Sequence, residues 1–132
     1  MYTFSDRRRF CGKETNLLSK WKGEKPAKQF IEKLNEDAKG KVLARIEFLG
    51  EHWQGLKRPY VDYLGSKIYE LRIQFAKSKI RVIYAFMFKN YIVLLHGILK
   101  KTSEIPEGDK DIAIKRMKDF QEKYDQGKIK LN

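Results

Sequence analysis

The sequence predicts an α+β domain in which an N-terminal helical hairpin packs on a small antiparallel β-sheet and a C-terminal helix closes the chain. Three observations predict it. Apolar residues recur at helical spacing between Pro26 and Gly50, the period changes to two from Lys67, and after Pro106 the helical spacing returns. A chain of 132 residues, 42% hydrophobic and 13% aromatic, suits one packed domain. No internal repeat or low-complexity linker divides it.

Residues 1–15 read as a basic arm, and the apolar stretch from Asn16 to Trp21 as a possible edge strand. Pro26 suits a first helical turn, and Phe30, Ile31 and Leu34 fall on one face with Lys28, Glu32, Lys33 and Glu36 opposite. A break is expected near Asp37 to Gly40. Val42, Leu43, Ile46 and Leu49 then repeat the pattern until Gly50 weakens it and Gly55 ends it. In the first strand Tyr69, Leu71, Ile73 and Phe75 alternate with Ile68, Glu70, Arg72 and Gln74. After a turn at Ser78, Ile80, Val82, Tyr84, Phe86 and Phe88 share one face, with Lys79, Arg81, Ile83, Ala85 and Met87 on the other. Lys89 and Asn90 form a two-residue connection to Tyr91–Leu99, completing a meander whose last strand is apolar on both faces and therefore central. Ile112, Ile114, Met117 and Phe120 line a terminal helix. The folded domain is expected to span residues 16–124, leaving 125–132 as a frayed tail. Phe30, Leu34, Leu43, Ile46, Leu71, Val82, Val93 and Leu95 are expected to share one core beneath the helices.

The net charge of +12 is unevenly spread. Residues 1–25 contribute +4, residues 26–56 and 102–132 are each neutral, and residues 57–101 carry +8, with ten basic residues against Asp62 and Glu70. A field of that kind attracts polyanions: nucleic acid, an acidic protein segment or an anionic membrane surface. No apolar run approaches the roughly 20 residues that span a bilayer, and no apolar stretch follows Arg7, Arg8 and Arg9 as in a secretory signal. Cys11 is alone, and with His52 and His96 it makes no zinc-binding cluster, so neither disulfide, metal nor cofactor is expected, and a cytoplasmic location suits the composition.

Alternation places Glu70 and Arg72 on one strand face and Arg81 on the matching face of the next, while Lys100 and Lys101 follow at the end of the third. Antiparallel pairing could gather Arg72, Arg81 and the lysine pair into one cationic concavity, with Lys57, Arg58, Lys77 and Lys79 as further contacts to RNA. Cleaving RNA through its own 2′-hydroxyl needs a base for that hydroxyl, cations for the charge developing on phosphorus, and an acid for the leaving oxygen. The cations are plentiful. Base and acid stay open among Glu70, His96, Lys101 and a tyrosine, and a merely solvated sheet face would carry the same charges. His96, amid Leu94, Leu95 and Ile98, reads either as a hydrogen-bonded core residue or as a proton carrier. Tyr84 and Phe86 read as core, His52 as a helix-end residue and Cys11 as an incidental thiol.

These segments carry a resemblance. Tyr69-Glu70-Leu71-Arg72-Ile73, Ile80-Arg81-Val82-Ile83-Tyr84 and Leu94-Leu95-His96-Gly97-Ile98-Leu99-Lys100-Lys101-Thr102, with Pro106 after them and Pro26-Ala27-Lys28-Gln29-Phe30 before, together resemble the HigB toxins of the phage-derived Gp49-like branch of the RelE superfamily. The resemblance covers about residues 16–124. It implies the toxin of a type II toxin–antitoxin pair, usually a ribosome-dependent mRNA endoribonuclease held inactive by a helix-turn-helix, HigA-like antitoxin. It also implies that Arg72, Arg81, Lys100 and Lys101 hold and polarise the scissile phosphate. The tyrosine that RelE-type toxins place after the last strand has no counterpart, because Ile105 and Pro106 stand there. Two other readings share the basic sheet: an RNA-binding module without catalysis, and a degenerate toxin kept for its antitoxin. On the toxin reading, Arg81→Ala or Lys101→Ala should relieve growth arrest with the fold intact.

Overall fold

A computed structural model of the chain describes residues 3–4, 14–16, 26–87, 91–100 and 105–128. In chain order the elements are β1 (Thr3–Phe4), β2 (Glu14–Asn16), α1 (Pro26–Glu32), α2 (Glu36–His52), β3 (Val61–Gly65), β4 (Ile68–Phe75), β5 (Ser78–Met87), β6 (Tyr91–Lys100) and α3 (Glu107–Asp125). The class is α+β, as the sequence predicts. The expected connection at Lys89 and Asn90, and most of the proposed edge strand at 16–21, lie outside the described residues.

The two N-terminal helices divide earlier than expected. Asn35, in extended conformation, accepts the Ala38 N–H on its side-chain Oδ1 at 2.8 Å, and Glu36 and Asp37 follow in the first turn of α2. That is a side-chain N-cap reinforced by two carboxylates at the positive end of the helix dipole. The break therefore falls just before Asn35, and Gly40 lies inside α2. Gly50 is also helical and buried, with α2 running on to His52.

Strands β3 to β6 form an antiparallel meander of four strands, one more than the period-two pattern predicts, and β2 joins it by pairing parallel to β6. The full order is β1-β2-β6-β5-β4-β3, so β6 is interior, and Tyr91 to Leu95 are all buried. The sheet separates two cores rather than covering one. On one face Ile31, Val42, Ile46 and Leu49 pack against Leu71, Val82, Ile92 and Leu94, with Phe30, Leu34 and Leu43 partly buried around them. On the other, Ile83, Val93 and Leu95 pack against Ile105, Ala113 and Phe120 of the α3 segment. Val93 and Leu95 thus belong beneath α3 and not beneath the hairpin, because a strand apolar on both sides feeds two cores by alternation. In α3 itself Ala113 takes the buried position and Ile112 is exposed.

The ladder between β5 and β6 carries one irregularity near its middle. Ile83 faces His96 and Tyr84 faces Leu94, so Leu95 is an extra residue in the ladder. This bulge carries the residues after it onto opposite faces from those that strict alternation assigns. Ile98 comes to face Arg81, and Lys100 faces Lys79.

Gly97, just beyond the bulge, lies under the Phe30 ring, and a Cβ there would collide with the ring at Cδ2 and Cγ. The ring leaves no space for a methyl group. Gly97→Ala is expected to lower stability by about 1–3 kcal/mol through overpacking. Thermal unfolding of Gly97→Ala alone and combined with Phe30→Leu checks this: the second change should recover part of the loss.

Candidate functional site

On the face of the sheet shared with α3, the register sets Asp62, Glu70, Ile83 and His96 in one row across β3 to β6. Arg72, Arg81 and Ile98 form the next row, and Gln74, Lys79 and Lys100 the one after. On β4 and β5 the apolar core under α3 ends at Ile83, while on β6 it reaches Ile98. Beyond it the same face carries charge.

The centre of the charged region is Glu70, 2% exposed, with Arg81 beside it at 3%. Arg72 Nη1 donates to Glu70 Oε1 at 3.2 Å, and Arg81 Nε approaches the same oxygen at 3.6 Å. Arg81 Nη1 donates to the Ile80 carbonyl at 3.0 Å, while its Nε is buried without a hydrogen bond. Burial pushes the Glu70 carboxyl above its ordinary pKa of 4.5, even against the opposing pull of the two arginines. Burial likewise lowers Arg81, with the Arg72 charge adding to the effect. Two guanidinium groups thus converge on one carboxylate oxygen, in a site whose burial disfavours charge on both Glu70 and Arg81.

Above this floor opens a cleft of about 510 Å³, lined by Arg58, Asp62, Tyr63, Leu64, Glu70 and Arg72 from the strand side and by Ile105, Glu107 and Lys110 from the start of α3. Arg72, with a quarter of its side chain exposed, is the link between floor and solvent. Arg58, in the approach to β3, donates to Asp62 Oδ2 at 2.6 Å, and that bond holds Asp62 below the usual carboxylate range. Two carboxylates therefore face one another across β3 and β4 with opposite tendencies, Glu70 toward protonation and Asp62 toward ionisation.

The residues singled out in the sequence do not all come together. Glu70, Arg72, Arg81 and Arg58 are brought together at the cleft. Lys79 and Lys100 lie one row beyond, on the same face, with Lys77 in the adjoining turn and Lys57 exposed before β3. Lys101 lies outside the described residues.

His96 stands apart, two strands from Glu70 with Ile83 between them. Its Nε2 meets Asp109 Oδ1 at 2.8 Å, and Arg116 Nη1 donates to its Nδ1 at 2.8 Å and to the Leu95 carbonyl at 3.1 Å. An arginine can only donate, so Nδ1 accepts and Nε2 carries the ring proton toward Asp109. Both ring nitrogens are engaged in fastening β6 to α3.

Sequence reasoning misses the cleft residues Glu107 and Lys110 at the start of α3, and Asp62, Tyr63 and Leu64, which sit on the strand β3 that it does not find. The signal is present but short: Val61 to Leu64 between Pro59 and Gly65.

The fold and its guanidinium–carboxylate cleft define a small α+β domain with a charged, partly buried site. A family model, that of the phage-derived proteins Gp49-like (DUF891), matches residues 29–118. The chain belongs to this Gp49-like family, which is part of the RelE/toxin-like superfamily. Proteins of the family are commonly toxin-like, in a toxin–antitoxin context. No curated protein matches the chain.

Proposed function

We propose that the chain is the toxin of a type II toxin–antitoxin pair of the HigB kind, that it cuts mRNA on the ribosome without a metal ion, and that a helix-turn-helix, HigA-like antitoxin neutralises it. The observation that carries this reading is the buried Glu70 carboxylate held between Arg72 and Arg81 at the floor of an open cleft in the most basic part of the chain. In the proposed reaction Glu70 accepts the proton of the 2′-hydroxyl as that oxygen attacks the adjacent phosphorus. The bond from phosphorus to the 5′-oxygen breaks, and a 2′,3′-cyclic phosphate and a 5′-hydroxyl result. Arg72, with Arg81 behind it, stabilises the extra charge on the phosphoryl oxygens. The lysine pair at 100 and 101 supplies the proton that the leaving oxygen takes up. Arg58, Lys57, Lys77 and Lys79 hold flanking phosphates. His96 serves this site as a structural tie, keeping the α3 side of the cleft in place.

Primer extension on translated mRNA tests the proposal. Wild-type protein should produce new 5′ ends, and mRNA left uncut both on and off the ribosome would overturn the enzyme reading. The burial of Glu70 favours one second reading, an RNA-binding module in which the carboxylate only positions Arg72. The pH dependence separates the two. A base must be ionised to act, and burial raises the Glu70 pKa, so the cleavage rate should fall with acidification through a midpoint above 4.5. That limb should vanish in Glu70→Gln along with about 10²–10⁴-fold of the rate. Association with RNA should in either case weaken steeply with salt, because each phosphate neutralised by the +8 segment releases counterions.

A further inference from the structure

We infer that Lys110 is the second jaw of the cleft: from α3 it grips the same phosphate that Arg72 holds from β4, so that bound RNA ties the helix to the sheet. The inference rests on the RNA reading above and deepens it with a positioning residue on the opposite wall. Lys110 begins the sheet-facing stripe of α3, since Ala113, Met117 and Phe120 follow it at spacings of three and four and pack into the core on that face. It therefore lines the cleft from the helix side, with 27% of its side chain exposed. The cations of the cleft are not equally free. Arg58 donates to Asp62 at 2.6 Å and Arg72 to Glu70 at 3.2 Å, whereas the partner of Lys110 among the described residues is Glu107 Oε1 at 3.5 Å, on a side chain that is 83% exposed. An exposed pair at that distance within one helix is worth little, so the ammonium can exchange it for a ligand at small cost.

A phosphodiester suits this arrangement. Its charge is spread over two outward oxygens, one of which can take the planar guanidinium from the sheet and the other the ammonium from the helix. A nucleobase would need no cation on either wall, and a carboxylate-rich peptide would bring further negative charge against Asp62, Glu70 and Glu107, which line the same cleft. A ligand that touches both walls binds best while α3 is seated, and by that preference it holds α3 in place. Ala113 and Phe120 are the buried residues of α3, a small anchorage for a helix of 19 residues, so a bridge at its first turns adds appreciably to what keeps it on the sheet.

The test uses the full chain and a single-stranded RNA whose 2′-hydroxyls are methylated, so that it binds without being cut, and reads both affinity and amide hydrogen exchange. Lys110→Ala should weaken binding about 10-fold, the loss of one hydrogen bond to a charged group, and Lys110→Arg should retain most of it. Lys115→Ala removes the same charge from an exposed position of α3 outside the cleft and should cost much less. Glu107→Gln should not weaken binding, whereas a Lys110 that served only its ion pair with Glu107 would make the two changes alike. Saturating RNA should slow exchange along α3 in wild type and fail to do so in Lys110→Ala. A single uncharged methylphosphonate linkage at one position of the RNA should weaken wild-type binding and abolish that slowing, and this arm needs no variant, so it decides even if Lys110→Ala fails to fold. RNA binding in which Lys110→Ala matches Lys115→Ala, or α3 exchange that RNA leaves unchanged in wild type, would overturn this inference and leave the functional proposal standing. Failure of wild type to bind any RNA would overturn both.

Discussion

Arg72→Ala should reduce mRNA cleavage about 100- to 1000-fold, the loss that accompanies removal of one preorganised donor to a charged transition state. Of the two guanidinium groups on Glu70, Arg72 is the accessible one: it reaches Glu70 from a side chain that is still a quarter exposed, and it lines the cleft. The fold should survive with some loss of stability, because Glu70 loses the 3.2 Å hydrogen bond from Arg72 but keeps Arg81 as a counter-charge. Arg72→Lys should recover only part of the rate, since an ammonium restores charge but cannot keep Glu70 and grip a phosphoryl group with a planar fork. Cleavage rates by primer extension, relief of growth arrest on expression without a partner, and a melting transition that stays cooperative are the three readings. Cleavage at the wild-type rate by a well-folded Arg72→Ala protein would remove Arg72 from the mechanism.

The second large effect falls on stability and reverses an expectation drawn from the sequence. On the strand pattern alone Arg81→Ala is a harmless probe of activity, but Arg81 is buried against Glu70. Its removal strips a buried carboxylate of one partner. Glu70→Ala does the converse, leaving the buried Arg81 charge unanswered. Either change is expected to cost about 3–5 kcal/mol, as breaking one side of a buried ion pair does. For a chain of this size that corresponds to a fall in melting temperature of roughly 10–20 °C. The double change Glu70→Leu with Arg81→Met should regain most of the stability while remaining inactive, because a packed apolar pair needs no counter-charge. Urea unfolding of the single and double variants measures the coupling directly. Additive losses in the double variant would show that the two side chains do not support one another.

Glu70, Arg72 and Arg81 can be read from the sequence because a period of two is a strong local signal, and each lies in a strand where apolar neighbours mark the opposite face. Asp62 and Tyr63 cannot, since β3 is five residues long and its Asp62 and Gly65 are poor strand formers. The strand is held by pairing with β4, which is a tertiary fact. The start of α2 is legible in side-chain chemistry: Asn35 followed by Glu36 and Asp37 marks a helix N-terminus, and it outweighs the glycine at position 40 that suggests a later break. The bulge at Leu95 is not legible. It adds a residue without altering the composition, and only the register shows that His96 joins Leu95 on the α3 face and that Lys100 comes to the same side as Arg81. The family resemblance implies a site role for Lys100. Alternation alone puts Lys100 on the other face.

The fastening of α3 by Asp109 and Arg116 to His96 bears on how long the cleft lasts once formed. The helix rests on the sheet through few buried side chains, Ala113 and Phe120 among them, while Ile105, Glu107 and Lys110 at its beginning form one wall of the cleft. If α3 lifts away as a unit, that wall goes with it, while β4, β5 and the hairpin core remain assembled. Amide hydrogens of α3 should then exchange sooner than those of β5, and a protease should cut there first. The lifetime of the wall would set the interval over which an RNA can be gripped. Weakening the tie by His96→Ala would shorten that interval without touching any group that meets the phosphate.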